Sequence, residues 1–352
     1  MREIIIAQGA TAITAQQQNS TPTGQPTTTQ SQTALLYSAS ASRLFLHGVA
    51  SNRIWLILAT IYGLSQQGML GELLDRLRAS VFQNISASSY ALMIWIPAIM
   101  LGLLCVSGVL SLLRYYDYAL RNEEGRLSST AGMLNLREEA LKKEKVTGLV
   151  FRQTVIGRPF DLWSLLVRQA ASTNTNPVLT APFMVPGLRQ SEFTLANQVM
   201  NGVAPLPSLQ GVSPAMRRIF WIRLLLPLLL LLMILGWLWG MTDWRTASVA
   251  LLMPLLAVMI HLRWIHWAWA LDDEKMWVRH GLLGRTVDCF PIRLVQHVCL
   301  QQNPYQRRHG LATLLLTLPQ GTIIIPFMAF STASDIANRV LYVAESANSH
   351  RL

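Results

Sequence analysis

The segment Gln306-Arg307-Arg308-His309-Gly310 has the residue types best suited to binding a phosphate group. Adjacent guanidinium groups can each form paired hydrogen bonds with phosphate oxygens, and a glycine permits a tight turn beside them. Arg307 and Arg308 are therefore predicted to bind a phosphorylated headgroup. The alternative is a purely structural connection between two strands, in which Gly310 adopts an unusual backbone conformation and both arginines are solvated.

The sequence contains no arrangement of residues that is typical of catalysis or of a bound metal ion. It has no glycine-rich phosphate loop, no H-E-x-x-H zinc motif and no G-x-S-x-G nucleophile motif. Cys105, Cys289 and Cys299 lack the spacing of metal ligands or of a disulfide framework. We therefore expect a protein that is not an enzyme and that binds no metal ion or other cofactor. An enzyme with an unrecognised site remains a further hypothesis.

The composition is typical of a membrane protein rather than of a soluble domain. Only 13% of the 352 residues are charged and 51% are hydrophobic, whereas a soluble domain has about 25% charged residues. The 29 Lys and Arg exceed the 18 Asp and Glu by 11, which could indicate a nucleic-acid partner. Proteins that bind nucleic acid are seldom this apolar and usually cluster their lysines. Because 25 of the 29 basic residues are arginine, the sequence argues against nucleic acid.

Four apolar stretches are long enough to cross a membrane as helices, since about 20 apolar residues span the hydrocarbon core. Their few polar side chains favour anchoring helices over a transport pathway, which usually places ionisable groups at mid-membrane. The stretches run from about residue 54 to 70, 91 to 113, 220 to 240 and 247 to 270. A cluster at the end of the fourth stretch is predicted to form an interfacial aromatic belt; it comprises His261, Trp264, His266, Trp267 and Trp269.

The distribution of charge predicts the orientation of these helices. The loop within each hairpin has no net charge, so the whole excess of 11 positive charges lies on the opposite face. Because cytoplasmic segments of membrane proteins are rich in lysine and arginine, this face is predicted to be cytoplasmic. Both termini and the soluble segments would then lie in the cytoplasm, next to the anionic lipids of the inner leaflet.

The two soluble segments that follow the hairpins resemble one another, which indicates an internal repeat. At an offset of 149 residues Arg158 corresponds to Arg307, so Arg158 is a third predicted phosphate ligand. The first copy keeps only one of the two arginines, which disfavours a ligand-binding role shared by both copies. The residues that match at this offset are Gly132-Met133-Leu134 with Gly281-Leu282-Leu283, and Val146, Gln153 and Arg158 with Val295, Gln302 and Arg307.

The second copy has the pattern of a small β domain closed by a helix. Apolar runs separated by Gly, Pro and Asn turns predict five strands, which suggests a small barrel plugged at one end. Ser331 or Ser334 is expected to cap the terminal helix, whose apolar face holds Ile336, Val340 and Val343. The predicted strands are Lys275–His280, Arg285–Phe290, Leu294–Gln302, Leu311–Leu318 and Thr322–Phe327.

The segments Val278–Leu283, Pro291–Gln296 and Tyr305–Leu314 resemble the bacterial pleckstrin-homology-like (PH-like) membrane proteins of the YdbT/YdbS type, and Thr130–Arg158 fits the same pattern more loosely. The resemblance implies an α+β membrane protein with four transmembrane helices in two hairpins. Each hairpin would be followed by a small, seven-stranded PH-like β-barrel capped by a C-terminal helix. It also implies several such units per chain, so we expect the front end to be incomplete.

This organisation divides the chain into segments with different expected structures. The two copies are PH-like domain A and PH-like domain B, each preceded by a hairpin, and the N-terminus is the remnant of an earlier unit. The expected segments are 1–18 as that remnant, 19–52 as a polar linker and lead-in, 53–113 as the first transmembrane hairpin, 114–212 as domain A, 213–270 as the second hairpin, 271–346 as domain B and 347–352 as a tail.

These observations predict a non-enzymatic, multi-pass protein of the bacterial inner membrane. Its hairpins would hold cytoplasmic PH-like domains against anionic lipids, where the domains bind lipid headgroups or proteins. The resemblance also implies a role in envelope stress or in resistance to antimicrobial peptides, and a smaller PH-like membrane protein as a partner. The alternative is a transporter-associated or channel-like membrane subunit.

Overall fold

The computed structural model of the chain describes residues 34–51, 63, 89–123, 125–169, 183–200, 207–240, 244–272, 274–319 and 321–349. The helices are α1 (Ala41–Ala50), α2 (Ser89–Tyr115), α3 (Leu195–Val199), α4 (Ala215–Phe220), α5 (Leu226–Trp239), α6 (Trp244–His266), α7 (Pro304–Arg308) and α8 (Phe330–Ser349). The strands are β1 (Ala34–Ser38), β2 (Ala119–Glu123), β3 (Arg126–Ala131), β4 (Arg137–Lys142), β5 (Val146–Gln153), β6 (Trp163–Gln169), β7 (Phe183–Leu188), β8 (Gln210–Gly211), β9 (Ala268–Leu271), β10 (Lys275–His280), β11 (Arg285–Pro291), β12 (His297–Gln301), β13 (Leu311–Leu318) and β14 (Gly321–Ala329).

The strands of the second copy follow the alternation of apolar residues. In β13 the side chains of Leu314, Leu316 and Leu318 are buried, while the residues between them are half-buried. The bounds predicted for β10 and β13 are confirmed. The predicted third strand is shorter than expected, because Ile292–Leu294 forms a 3₁₀ turn before β12 begins at His297.

The terminal helix α8 begins at Phe330, so neither Ser331 nor Ser334 precedes it as a cap. The prediction of a serine cap was therefore wrong, because strand β14 runs directly into the helix. Its predicted apolar face is confirmed: Ile336 and Val340 are buried in the core, and Val343 packs against them.

The strands form three sheets, with the orders β1-β2-β3-β4, β7-β6-β5-β11-β10-β9-β8 and β12-β13-β14. We define domain A as β1–β7 with α1, α2 and α3, and domain B as β8–β14 with α4 to α8. Each domain therefore has a four-stranded and a three-stranded part. The seven-stranded sheet joins the three-stranded part of domain A to the four-stranded part of domain B, because β5 pairs antiparallel with β11. The two domains thus share one continuous sheet, where the sequence predicted two separate barrels.

The first strand of each domain precedes its apolar helices in the chain. Strand β1 pairs with β2, and the short β8 pairs with β9. Residues 34–50, assigned from sequence to the polar linker and lead-in, form β1 and α1 of domain A. Strand β8, assigned from sequence to the end of domain A, pairs within domain B. The expected remnant at 1–18 lies outside the described residues.

The core of domain A contains side chains that belong to domain B. Trp277, Val287 and Cys289 extend from β10 and β11 into the cluster that also holds Phe151 and Phe193 of domain A. The rings of Phe151 and Trp277 stack at 6.3 Å between centroids, with 19° between their planes. A second cluster forms the core of domain B and includes Met276, Phe290 and the inner face of β13. The two domains are therefore held together by buried apolar side chains in addition to the shared sheet.

Two helical segments among the described residues are long and apolar enough to cross a membrane. They are Pro97–Tyr115 in α2, with a mean hydropathy of 1.9, and Ala215–Leu238, with a mean hydropathy of 2.5. The second continues from α4 through a π-helical segment at Trp221–Leu225 into α5. Within α6, Ala250–His266 is a shorter apolar helix. The predicted span at about 54–70 lies outside the described residues apart from residue 63, and four spans are not established.

Candidate anion-binding site at the domain junction

Arg158 lies in the loop between β5 and β6 of domain A. Hydrogen bonds fold this loop back on itself, since Leu162 N donates to Gly157 O at 2.9 Å and Gly157 N donates to Thr154 Oγ1 at 3.2 Å. The loop places Arg158 Nη2 2.8 Å from Nε2 of His266, the last residue of α6. An arginine of domain A therefore contacts the C-terminal end of the apolar helix α6 of domain B.

His266 is 3% exposed and has a contact on each ring nitrogen. Its Nδ1 lies 2.9 Å from the carbonyl oxygen of Leu282, in the turn between β10 and β11. A carbonyl can only accept, so Nδ1 carries the proton and donates it. Nε2 is then the acceptor for Arg158. The neutral imidazole therefore bridges the loop of domain A to the turn of domain B.

Two further arginines, Arg279 and Arg285, border the same turn. Arg279 donates from Nη2 to Ile265 O and from Nε to His266 O, each at 3.3 Å. Arg285 is the first residue of β11 and pairs with Gln153 of domain A. Burial, and then the positive charge of Arg285, lower the pKa of both Arg158 and Arg279. The guanidinium of Arg285 therefore lies close enough to those of Arg158 and Arg279 to repel each of them. We call Arg158, His266, Arg279 and Arg285 the junction cluster.

Within the described part of the chain, no carboxylate forms an ion pair with the arginines of the junction cluster. The Nε atoms of Arg158 and Arg285 are buried and have no hydrogen-bond acceptor there. Burying positive charge without a compensating acceptor is unfavourable. An oxyanion would supply acceptors for these donors and reduce the repulsion, because guanidinium groups bind carboxylate and phosphate in a bidentate manner. The cluster is chemically suited to an anionic ligand.

Asp288 is the acidic residue nearest in sequence to Arg285 on β11, and it is already engaged. Its carboxylate contacts Arg168 Nη2 at 3.1 Å and His280 Nε2 at 2.7 Å, and its side chain is 5% exposed. Side chains three positions apart on a strand point to opposite faces. Asp288 thus joins domain B to domain A on one face of the sheet, and its carboxylate does not face the arginines of the other face.

Arg307 and Arg308 lie in different surroundings from Arg158. The segment that contains them is a short helix, α7, rather than the predicted turn, because Asn303 and Gln306 form reciprocal capping hydrogen bonds at the start of this helix. Both arginines are exposed and border an open cleft of about 430 Å³. The repeat therefore gives equivalent arginines two environments: a half-buried one at the junction and an exposed one at α7.

Arg279 and Arg285 were not predicted from the sequence as site residues, and His266 was predicted to belong to an interfacial aromatic belt. In the structure Trp269 of that cluster is buried in the core of domain B, and Trp264 donates to Val212 O at 3.2 Å. The repeat contains a signal that could have identified the arginines. At the offset of 149 residues Arg279 and Arg285 correspond to Thr130 and Leu136, so only the second copy carries them.

Comparison with protein families agrees with the division into two domains. The model of the Bacterial PH domain family matches the chain twice, over residues 70–195 and 206–344, which together cover more than half of its length. The second match includes β8, in agreement with the pairing of that strand in domain B. No significant match was found among curated proteins or among solved structures. The chain therefore belongs to the Bacterial PH domain family and contains two copies of its domain.

Proposed function

We propose that this chain is a non-enzymatic, multi-pass protein of the bacterial inner membrane that binds the phosphate of anionic lipid headgroups. Its PH domains lie at the cytoplasmic surface, and the junction cluster is the binding site. The observation that carries the proposal is the group of three arginines without a carboxylate partner among the described residues. A binding role is also the one that PH domains suggest.

The position of the junction cluster favours a lipid over a dissolved anion. Arg279 donates to the carbonyl of Ile265, and His266 ends α6, so the cluster lies where an apolar helix stops. The side chain of Ile265 is 45% exposed beside it. In a membrane this level is occupied by headgroup phosphates, which attract basic residues next to a spanning helix.

The proposed topology has four spanning helices in two hairpins, with both termini and both PH domains in the cytoplasm. It is supported by the two candidate spans, the shorter apolar helix in α6, and the location of all net positive charge on one face of the predicted hairpins. The topology brings domains A and B to the same leaflet, as their shared sheet requires.

The packing of α2 favours an anchoring role over a transport pathway. Its buried serines contact α1: Ser107 Oγ donates to Gly48 O at 2.7 Å. A Cβ atom at Gly48 would lie 2.4 Å from Ser111 Cβ, so only glycine permits this approach of the two helices. The polar side chains of α2 thus serve helix packing, as small residues commonly do between membrane helices.

We attach to this proposal a role in envelope stress or in resistance to antimicrobial peptides, with a smaller PH-like membrane protein as partner. A protein that binds anionic lipid at the inner leaflet acts on the component that cationic peptides attack. Deletion of the gene would then increase killing by cationic peptides. Unchanged survival of the deletion strain would remove this role and leave the lipid-binding proposal standing.

Bound-lipid analysis tests the site itself. The full chain is extracted into a nonionic detergent, washed with excess detergent, and its residual phospholipids are counted per protein by class. We expect the wild type to retain anionic over zwitterionic lipid and Arg158→Gln to lose this preference. Arg307→Ala with Arg308→Ala is the matched control and should retain it. Loss only in the control would move the site to α7, and no preference in the wild type would contradict the proposal.

A further inference from the structure

A cavity of about 500 Å³ lies where α2 meets the sheet of domain A. This volume is within the range of about 300–1,000 Å³ that is usual for small-molecule sites. Its apolar wall includes Leu110 and Leu113 of the candidate span, Leu134 of the turn between β3 and β4, and Met184 of β7. The cavity therefore extends from the last turns of an apolar helix to the interior of domain A.

The turn between β3 and β4 is fixed to the end of α2 and exposes apolar side chains beside the cavity. Gly132 N donates to Tyr116 O at 2.9 Å, and Met133 N donates to Leu113 O at 3.0 Å. Leu134 is 83% exposed even though it lies in this tethered turn. In the proposed topology this leucine lies at the membrane surface, so the apolar wall of the cavity continues into the lipid.

The part of the cavity on the domain side contains hydroxyl groups. Tyr118 is 3% exposed and Ser129 is 6% exposed, and both line the cavity. The Tyr118 hydroxyl forms no hydrogen bond of ordinary geometry with any described residue, although Ser129 lies near it. Burial raises the pKa of Tyr118, so the hydroxyl stays protonated and is able to donate a hydrogen bond. A ligand oxygen would satisfy it.

Charged groups also line the cavity. Arg114 follows Leu113 on α2, and Arg137 begins β4. Glu139 is the acidic residue among the lining side chains, and it lies 3.8 Å from Arg137 in a solvent-exposed ion pair. Such an exposed pair is weak. Arg114 has no carboxylate partner among the described residues, so the lining favours an anion over a cation.

From this combination we infer that the cavity binds one acyl-chain amphiphile with an anionic, oxygen-bearing head. The head lies against Tyr118, Arg114 and Arg137, and the chain runs along Leu113 and Leu134 toward the membrane. A free fatty acid and a membrane phospholipid share this chemistry. The inference uses the proposed membrane placement of α2 but not the junction cluster, so either site can fail without the other.

Photolabelling of the full chain in nonionic detergent tests the inference. Palmitate and hexadecanol, each with a photoreactive group on the chain, are compared, and labelled peptides are mapped by mass spectrometry. We expect palmitate to label peptides that contain Leu134 or Met184 at least fivefold more than hexadecanol does. A photoreactive phosphatidylglycerol distinguishes the two possible ligands. If it labels these peptides more strongly than palmitate does, the ligand is a membrane phospholipid. If it labels them more weakly, the ligand is a free fatty acid.

Two variants separate the site from nonspecific partitioning into apolar surface. Tyr118→Phe removes only the hydroxyl and should reduce palmitate labelling about five- to tenfold, the equivalent of one hydrogen bond, without lowering the melting temperature. Tyr116→Phe is the matched control, because this neighbouring tyrosine is 47% exposed and does not line the cavity. Equal labelling of both variants, or wild-type label spread over the exposed helix surface, would overturn the inference.

Discussion

Arg158 of domain A and His266 at the end of α6 lie 108 residues apart in sequence, yet Arg158 Nη2 is 2.8 Å from His266 Nε2. This contact joins a loop of domain A to the apolar helix α6 of domain B. Because His266 also donates to Leu282 O, it determines how the loop of domain A meets the β10–β11 turn. The shared sheet and this bridge together hold the three arginines at one place.

The bridge should contribute measurably to stability. Replacement of His266 by Ala leaves the half-buried Leu282 carbonyl and the Arg158 guanidinium each without this partner, so we expect a loss of about 1–3 kcal/mol. Thermal unfolding of the full chain in detergent, followed by circular dichroism, measures it. His261→Ala is the control, because His261 lies on the same helix and is exposed. Equal melting temperatures for the two variants would show that the His266 bridge does not stabilise the fold.

Domain A should depend on a tryptophan from domain B. Trp277 is 1% exposed and lies in the core cluster of domain A, so Trp277→Ala should cost about 3–5 kcal/mol and increase hydrogen exchange in β5 and β6. Trp237→Ala, at a side chain that is 86% exposed, should leave that exchange unchanged. Faster exchange in domain B with protection retained in β5 and β6 would indicate that the domains have independent cores.

Gly132 and Gly281 each begin a tight turn, and the two turns correspond in the internal repeat. Any side chain at either glycine should lower the stability of the fold. A Cβ at Gly132 or Gly281 would lie 2.2 Å from a carbonyl oxygen of the same turn, and φ is +120° and +145°. Strain from such dihedrals costs about 1–3 kcal/mol, and the clash adds to it. Gly125→Ala is a suitable control, since its φ is +82° with open space around it. In thermal unfolding, Gly132→Ala and Gly281→Ala should each have a lower melting temperature than Gly125→Ala. A higher melting temperature for the two turn variants would contradict the geometry.

The repeat and the strand pattern made much of the fold predictable. The bounds of β13 follow from the alternation of apolar residues between turns, because one face of that strand is buried. Strand β10 ends at the turn that begins with Gly281, although its side chains are buried on both faces, with Trp277 in the core of domain A and Met276 in the core of domain B. The repeat at an offset of 149 residues correctly predicted two PH-like copies in the chain. Alternation and turn signals depend only on residues that are close in sequence, and the repeat requires only that two segments of the chain be compared.

The pairing of β5 with β11 could not be predicted in the same way. Leu149 and Phe151 have the apolar character of any buried strand, and nothing in the sequence shows that Val287 and Cys289 of the other domain lie beside them. The candidate site depends on this pairing, because Arg158 meets Arg285 only when the sheets join. Sequence motifs therefore indicate Arg158, Arg307 and Arg308 but contain nothing that places Arg158 beside Arg279.

The proposed orientation can be tested with the native cysteines. Cys299 on β12 is exposed, whereas Cys289 is 1% exposed and burial raises the pKa of its thiol. Cys105 lies in the candidate span of α2. A membrane-impermeant maleimide should therefore label Cys299 in inside-out vesicles and not in intact spheroplasts. Cys299→Ser should abolish the label. Labelling of spheroplasts would place domain B outside the cell.

Arg285 is proposed to bind an anion rather than to stabilise the fold, and Arg285→Met tests this role most directly. Arg285 has a buried Nε without an acceptor among the described residues, so removing its charge should leave the melting temperature unchanged or raised in the absence of ligand. Short-chain phosphatidylglycerol should stabilise the wild type by up to about 2.7 kcal/mol at a hundredfold excess over Kd, whereas short-chain phosphatidylcholine should not. We predict that Arg285→Met loses this anion-dependent stabilisation. A variant that is less stable without ligand and is still stabilised by phosphatidylglycerol as strongly as the wild type would contradict the claim.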